Sequence, residues 1–227
     1  MSTYAIAGQQ VSLPVQVRDA SAGTVMFEVD AEAARSLVPA AFEVVETGPG
    51  RAQLAIAVVD YRDNDLGAYL EIGIMFFVRP RSGGEDGTFI LHLPVDQGFT
   101  CEAGKRIWGF PKTVQRIAVV DGDGATTWTL WMDGELVLRL RLPRGGSDEM
   151  PAMPMTAYTL IDGAAHATAF SQQGTGGQVL FGGEGVELEL GTHPVAKQLV
   201  SLGLPAPALL TTWTERMQAT FAAPRPL

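Results

Sequence analysis

"TTWTLWMDGELVLRLRLP", residues 126–143, decides the reading of the fold. Side chains alternate with a period of two on both sides of Asp133-Gly134, a dipeptide suited to a two-residue hairpin turn. This is an antiparallel strand pair, and similar runs recur along the chain. They include "QQVSLPVQV", "GTVMFEVD", "RAQLAIAVVDY", "YLEIGIMFFVRP", "GTFILHLPV", "VQRIAVVDGDG" and "VELELGT", with Gly, Asp and Pro at the joints. The pattern predicts a mainly β protein.

Two stretches read as short helices. "DAEAARSLVPAAF" starts at Asp30, a suitable N-cap, and ends before Pro39, while "HPVAKQLVSLGLP" has Pro194 near its start and Gly203 near its end. The Gly- and Pro-rich segments "RPRSGGEDGT" and "PRGGSDEMPAMPM" are flanked by strands of unchanged composition, so they read as loops within one domain, residues 1–227.

With 227 residues, 46% of them apolar, the chain has ample material for a core. Its net charge of −9 argues against nucleic acid, which demands clustered Lys and Arg. The start, "MSTYAIAGQQVSLPV", lacks the positive and apolar regions of a signal peptide, and no apolar run reaches the roughly 18 residues of a membrane span. A soluble cytoplasmic protein, not bound to a membrane, is expected.

Cys101 is the sole cysteine, so no internal disulfide is possible, and His92, His166 and His193 lie in different segments. A buried, inert thiol is expected. "QQGTGGQVLFGGEG" lacks the Gly-Lys-Ser/Thr of a phosphate loop, so its glycines are assigned to hairpin turns. "DYRDNDLG" does not have calcium-loop spacing, and Asx turns account for Asp63, Asn64 and Asp65.

One of three lysines, Lys112, follows a Gly-Phe-Pro turn in "FTCEAGKRIWGFPKT", residues 99–113. A lysine attacks a ketone only as the free amine, and at an ordinary pKa of about 10.4 only about one molecule in 2500 is neutral at pH 7. Bringing that pKa to about 7 takes roughly 4.6 kcal/mol of destabilisation of the ammonium. Burial or a neighbouring cation does this, and Trp108, Phe110 and Pro111 supply apolar surface.

"GKRIWGFPK" resembles the Schiff-base segment of the acetoacetate decarboxylase-like family, with Lys112 in the place of the imine-forming lysine. Acetoacetate decarboxylase is itself the type example of a lysine activated by an adjacent cation. "AARSLVPAAFEV" is similar to the family's early helix, and "DNDLGAYLEIGI" to the segment that carries its active-site glutamate, which falls on Glu71. The resemblance implies a β-sheet closed into a cone-like barrel, an antiparallel one by the strand pattern, and a homo-oligomer. It also implies a lyase acting on a small keto acid, with Lys112 as Schiff-base former and Glu71 moving protons.

Arg18 in "LPVQVRDA" is the candidate for the family's carboxylate-binding arginine. Tyr69 and Trp108 are candidates to contact substrate, or else to pack in the core. Thr113 stands where the decarboxylase has a second lysine, so the adjacent cation is missing at that position. Decarboxylation, aldol condensation with dehydration, and a binding protein without chemistry therefore all stay open. None of these readings requires a metal or an organic cofactor.

Overall fold

The computed structural model describes residues 2–227. The chain opens with a hairpin of β1 (Thr3–Ile6) and β2 (Gln9–Ser12), then β3 (Val15–Asp30), helix α1 (Ala31–Leu37), β4 (Phe42–Val44) and β5 (Glu46–Gly48). Next come β6 (Arg51–Asn64), β7 (Tyr69–Pro80), β8 (Gly87–Val95), helix α2 (Gly98–Trp108) and β9 (Lys112–Val114). They are followed by β10 (Arg116–Gly122), β11 (Ala125–Met132), β12 (Glu135–Pro143), β13 (Asp148–Ile161) and β14 (Ala164–Phe181). The last elements are β15 (Glu187–Leu190), helix α3 (Pro194–Ser201), β16 (Ala208–Phe221) and β17 (Arg225–Pro226).

Seven strands close into a barrel in the order β7-β6-β3-β16-β14-β13-β8, with β8 pairing back onto β7. The sheet is mixed rather than wholly antiparallel, because β8 runs parallel to both β13 and β9. The chain between β8 and β13 makes a long excursion through α2 and β9–β12, and such a crossover lets a strand return parallel. β8 divides itself between these partners: Thr88 and Phe89 pair with β13, while Leu93, Pro94 and Val95 pair with β9.

The Asp-Gly hairpin forms as expected, with Asp133 at φ 51° and Gly134 at φ 81° between Met132 and Glu135. It belongs, however, to a second sheet, β10-β11-β12-β15. That sheet packs on the barrel: Trp128, Leu130, Leu138 and Leu140 share a core with Phe27, Leu54, Ile56, Ile72 and Ile74. The alternate residues of the same barrel strands, such as Ala55, Ala57, Gly73 and Met75, face an internal cavity. β6 and β7 are thus covered on both faces, which is why their sequences read as nearly continuous apolar runs. Each fully buried Ile or Leu there contributes about 1.5–3 kcal/mol.

α1 and α3 match expectation. Asp30 caps α1 by accepting from Ala33 N–H at 2.7 Å, and Pro194 opens α3. α2 is a third helix beyond the two expected. Gly98 and Gly104 lower its propensity, and burial of Cys101, Ala103, Ile107 and Trp108 overrides that. The glycines of 172–185 divide between two roles. Gly182, Gly183 and Gly185 have positive φ in a turn, while Gly174, Gly176 and Gly177 lie inside β14; Gly176 there has φ 68°, and a Cβ on Gly174 or Gly177 would come 2.4 Å from Arg216 O or Met150 Cγ. Among the described residues, no helix is long and apolar enough to cross a membrane.

Candidate active site

α2 begins at Gln97, whose side chain accepts from Thr100 N–H at 2.7 Å, and ends at Gly109 in the left-handed region, φ 68°. Gly109 N–H donates to Lys105 O and Phe110 N–H to Gly104 O, both at 3.1 Å, which satisfies the last carbonyls of the helix. The chain then turns at Phe110-Pro111 and enters β9, where Lys112 pairs with Leu93 of β8. This places the Lys112 stem against Gly104: a Cβ there would lie 2.6 Å from Lys112 Cδ.

Lys112 is 3% exposed. Its Nζ lies 2.8 Å from Glu71 Oε2, donates to Thr100 Oγ1 at 2.9 Å and to the Tyr69 hydroxyl at 3.5 Å, and sits 4.7 Å from the Tyr69 ring centroid. Glu71 comes from the inner face of β7, and its Oε1 accepts from the Tyr61 hydroxyl at 3.3 Å. Tyr61 and Tyr69 are direct partners across β6–β7, and their rings stack at 4.4 Å. The result is a buried cluster of one amine, one carboxylate, two phenols and one hydroxyl.

Burial pushes the Lys112 pKa down, but the Glu71 carboxylate, followed by Tyr69, pushes it up and prevails. The lysine is therefore held as an ammonium, the reverse of the depression expected from its apolar neighbours in sequence. Burial raises the Tyr69 phenol; Lys112 opposes this and Glu71 adds to it. Burial, then Glu71, holds the Tyr61 phenol well above its ordinary value.

The cluster stands at one end of a cavity of about 210 Å³ inside the barrel. The rest of the wall is mostly apolar, and Lys112 is the only cationic side chain lining it among the described residues. Trp108 is in this wall, stacked on Phe110 at 5.6 Å, with its indole N–H donating to Ala222 O at 2.8 Å. Its polar edge is satisfied, so it offers the cavity an apolar surface.

Two expected site residues lie elsewhere. Val15 and Val17 of β3 line the cavity, so strand alternation turns Arg18 to the outside. There it pairs with Asp63 at 2.7 Å and Asp65 at 2.6 Å. Those aspartates were assigned to Asx turns; only Asn64 makes one, accepting from Leu66 N–H at 2.7 Å. Thr113 follows Lys112 on β9 and is exposed for the same reason of alternation, outside the cavity wall. Lys105 and Arg106 are also exposed, and Arg106 lies 3.7 Å from Glu102.

Tyr61 and Thr100 complete the cluster without having been singled out in the sequence. Tyr61 was accessible, since the register of the β6–β7 hairpin sets it opposite Tyr69. Thr100 depends on α2, which the sequence pattern did not announce. Cys101 is buried as expected. No group of three or more His, Cys, Asp or Glu side chains gathers at metal-binding distances among the described residues.

A closed barrel holding a lysine–carboxylate pair at the end of an internal apolar cavity defines the class. The chain belongs to the acetoacetate decarboxylase (ADC) family, whose model matches residues 3–219. Among solved structures it is similar to acetoacetate decarboxylase from Legionella pneumophila subsp. pneumophila str. Philadelphia 1. That match has a TM-score of 0.68 and 16% identity, covering 94% of this chain and 87% of that one. It is also similar to the enduracididine biosynthesis enzyme MppR complexed with pyruvate, with TM-score 0.64, 15% identity, and 97% and 92% coverage. An acetoacetate decarboxylase-like enzyme from Sphingomonas wittichii RW1 matches with TM-score 0.60 and 15% identity, covering 97% of this chain and 96% of that one. No curated protein sequence matches the chain.

Proposed function

We propose that the protein is a Schiff-base-forming carbon–carbon lyase that decarboxylates a β-keto acid through an iminium on Lys112. The supporting observation is the buried 2.8 Å contact between Lys112 Nζ and Glu71 Oε2 in an otherwise apolar cavity. A resting ammonium is compatible with this chemistry because its proton acceptor is already in contact. Transfer of the proton to Glu71 gives two neutral groups, which low-polarity surroundings favour relative to two separated charges.

The free amine then attacks the ketone carbon. Glu71 returns the proton to the resulting hydroxyl, which leaves as water, and the positive iminium faces the Glu71 carboxylate. Cleavage of the bond to the substrate carboxylate releases carbon dioxide and sends its electron pair into the iminium, giving a neutral enamine. Protonation of the enamine carbon and hydrolysis by water release a ketone and free Lys112. Tyr69 and Thr100 orient the amine through their hydroxyls. Lys112 and Glu71 are the catalytic pair.

A second reading follows from the absence of another cation in the cavity wall among the described residues. Aldol condensation and dehydration begin at an iminium and its enamine without loss of carbon dioxide, and a similar structure, MppR complexed with the condensation product of pyruvate and imidazole 4-carboxaldehyde, supports this reading. Incubation with acetoacetate or pyruvate followed by borohydride decides whether an imine forms. We expect a mass increase on the peptide carrying Lys112, absent in Lys112→Ala. Carbon dioxide release against condensation with an added aldehyde then separates the two reactions. An unlabelled Lys112 in folded protein with every keto acid would point to a barrel that binds its ligand without chemistry.

A further inference from the structure

The cavity is long as well as apolar. Along β7 alone its wall runs through Tyr69, Glu71, Gly73, Met75 and Phe77, a stretch of nine residues or about 26 Å of strand. The amine stands at the Tyr69 end, where the lining residues Val17, Tyr61 and Leu93 are buried in one core with Ala103, Ile107 and Trp108 of α2. At the opposite end lie Phe77 and Thr88, partly buried and paired with each other across β7–β8. A substrate with its carbonyl at the amine leaves the rest of itself along the tube.

That remainder meets Ala57, Gly73, Met75, Ile90 and Phe77 and no positive charge. Gly73 keeps the tube open at mid-length, since a Cβ there would come 2.8 Å from Met75 Cε. A volume of about 210 Å³ also exceeds the roughly 150 Å³ that is enough for a dry apolar cavity to take benzene. Resting on the Lys112 iminium reading, we infer that the substrate is a β-keto acid with an unbranched apolar tail, about eight carbons in all. Its keto and carboxylate carbons sit at Lys112 and its tail points toward Phe77.

The test compares kcat/KM for 3-oxobutanoate, 3-oxohexanoate and 3-oxooctanoate, alongside borohydride trapping of each. Burial of methylenes predicts a gain of about threefold or more per added methylene, hence roughly a hundredfold from four to eight carbons. Ala57→Val, which narrows the tube at mid-length without closing the way to Lys112, should flatten that dependence while 3-oxobutanoate is still trapped on Lys112. Inhibition by heptan-2-ol against propan-2-ol reads the tail alone, because neither alcohol forms an imine. A flat or falling chain-length series with trapping intact overturns the inference and leaves the iminium reading standing. Tight heptan-2-ol binding with no adduct from any keto acid overturns the iminium reading and supports the apolar tube. Weak, equal binding of both alcohols together with no adduct overturns both.

Discussion

Two of the molecule's ion-paired groups draw their carboxylates from one short stretch, Asp63 to Glu71, and they behave as opposites. Arg18 with Asp63 and Asp65 lies on the outer face of the barrel, the side chains 49%, 58% and 36% exposed. Lys112 with Glu71 lies inside, the side chains 4% and 11% exposed. Surface pairs of the first kind are screened by water and salt and contribute little. The inner pair has lost its water, so each partner's charge is sustained chiefly by the other. Only the inner pair can therefore turn a change in one partner into a change in the reactivity of the second.

The largest effect should come from Lys112→Ala, which removes imine trapping and turnover altogether. It should also destabilise the fold by about 3–5 kcal/mol in denaturant titration, because Glu71 is left buried without its counter-charge. The double variant Lys112→Met, Glu71→Gln should recover most of that stability and none of the activity; if it stays as unstable as Lys112→Ala, the ion pair is not what the single change disturbs.

Glu71→Gln alone should lower turnover by roughly 10²–10⁴ through loss of the proton carrier. It should also move the Lys112 pKa downward, since burial remains while the carboxylate that raises it is gone. The pH dependence of Lys112 labelling by an amine-selective reagent measures this, and an upward shift would contradict the electrostatics described above. In the wild type the sign for stability is fixed as well. A lysine whose folded pKa is raised contributes fully below its unfolded value of about 10.4, and that contribution fades as pH rises through the higher folded value. The double variant should lack this alkaline loss.

Thr100→Val should cost about 1 kcal/mol in stability and lower turnover less than Glu71→Gln, as it removes one of three polar contacts to the amine. The smallest effect belongs to the outer pair: Arg18→Ala should leave kcat/KM within about twofold and the unfolding midpoint nearly unchanged. A large rise in KM for Arg18→Ala would restore this residue to substrate binding and end the contrast between the two pairs.

The sequence revealed the lysine and the glutamate because each sits in a short stretch whose residue order carries the resemblance by itself. It did not reveal that they touch, which depends on closing β7 onto β8 and laying β9 along β8. Arg18 was chosen by resemblance alone, and regular alternation with the inward-facing Val15 and Val17 turns it outside. Thr113 was assigned by adjacency to Lys112, yet neighbours along a strand point apart. The hairpin at Asp133-Gly134 was fully legible as local structure. Its membership of the outer sheet was not, because nothing local tells a strand which sheet it joins.

Gly104 links the two demands placed on α2. Replacing it with alanine removes a helix-weakening residue and, in an isolated helix, would add up to about 1 kcal/mol. In the barrel the added methyl would occupy the space of Lys112 Cδ, 2.6 Å away. The amine would have to retreat from Glu71 and Thr100 or the helix from the wall. Loss of the buried pair would outweigh the helix gain, so the alanine variant should lose heat resistance and turnover together, and the missing methyl group is where the helix yields a few cubic ångströms to the chemistry.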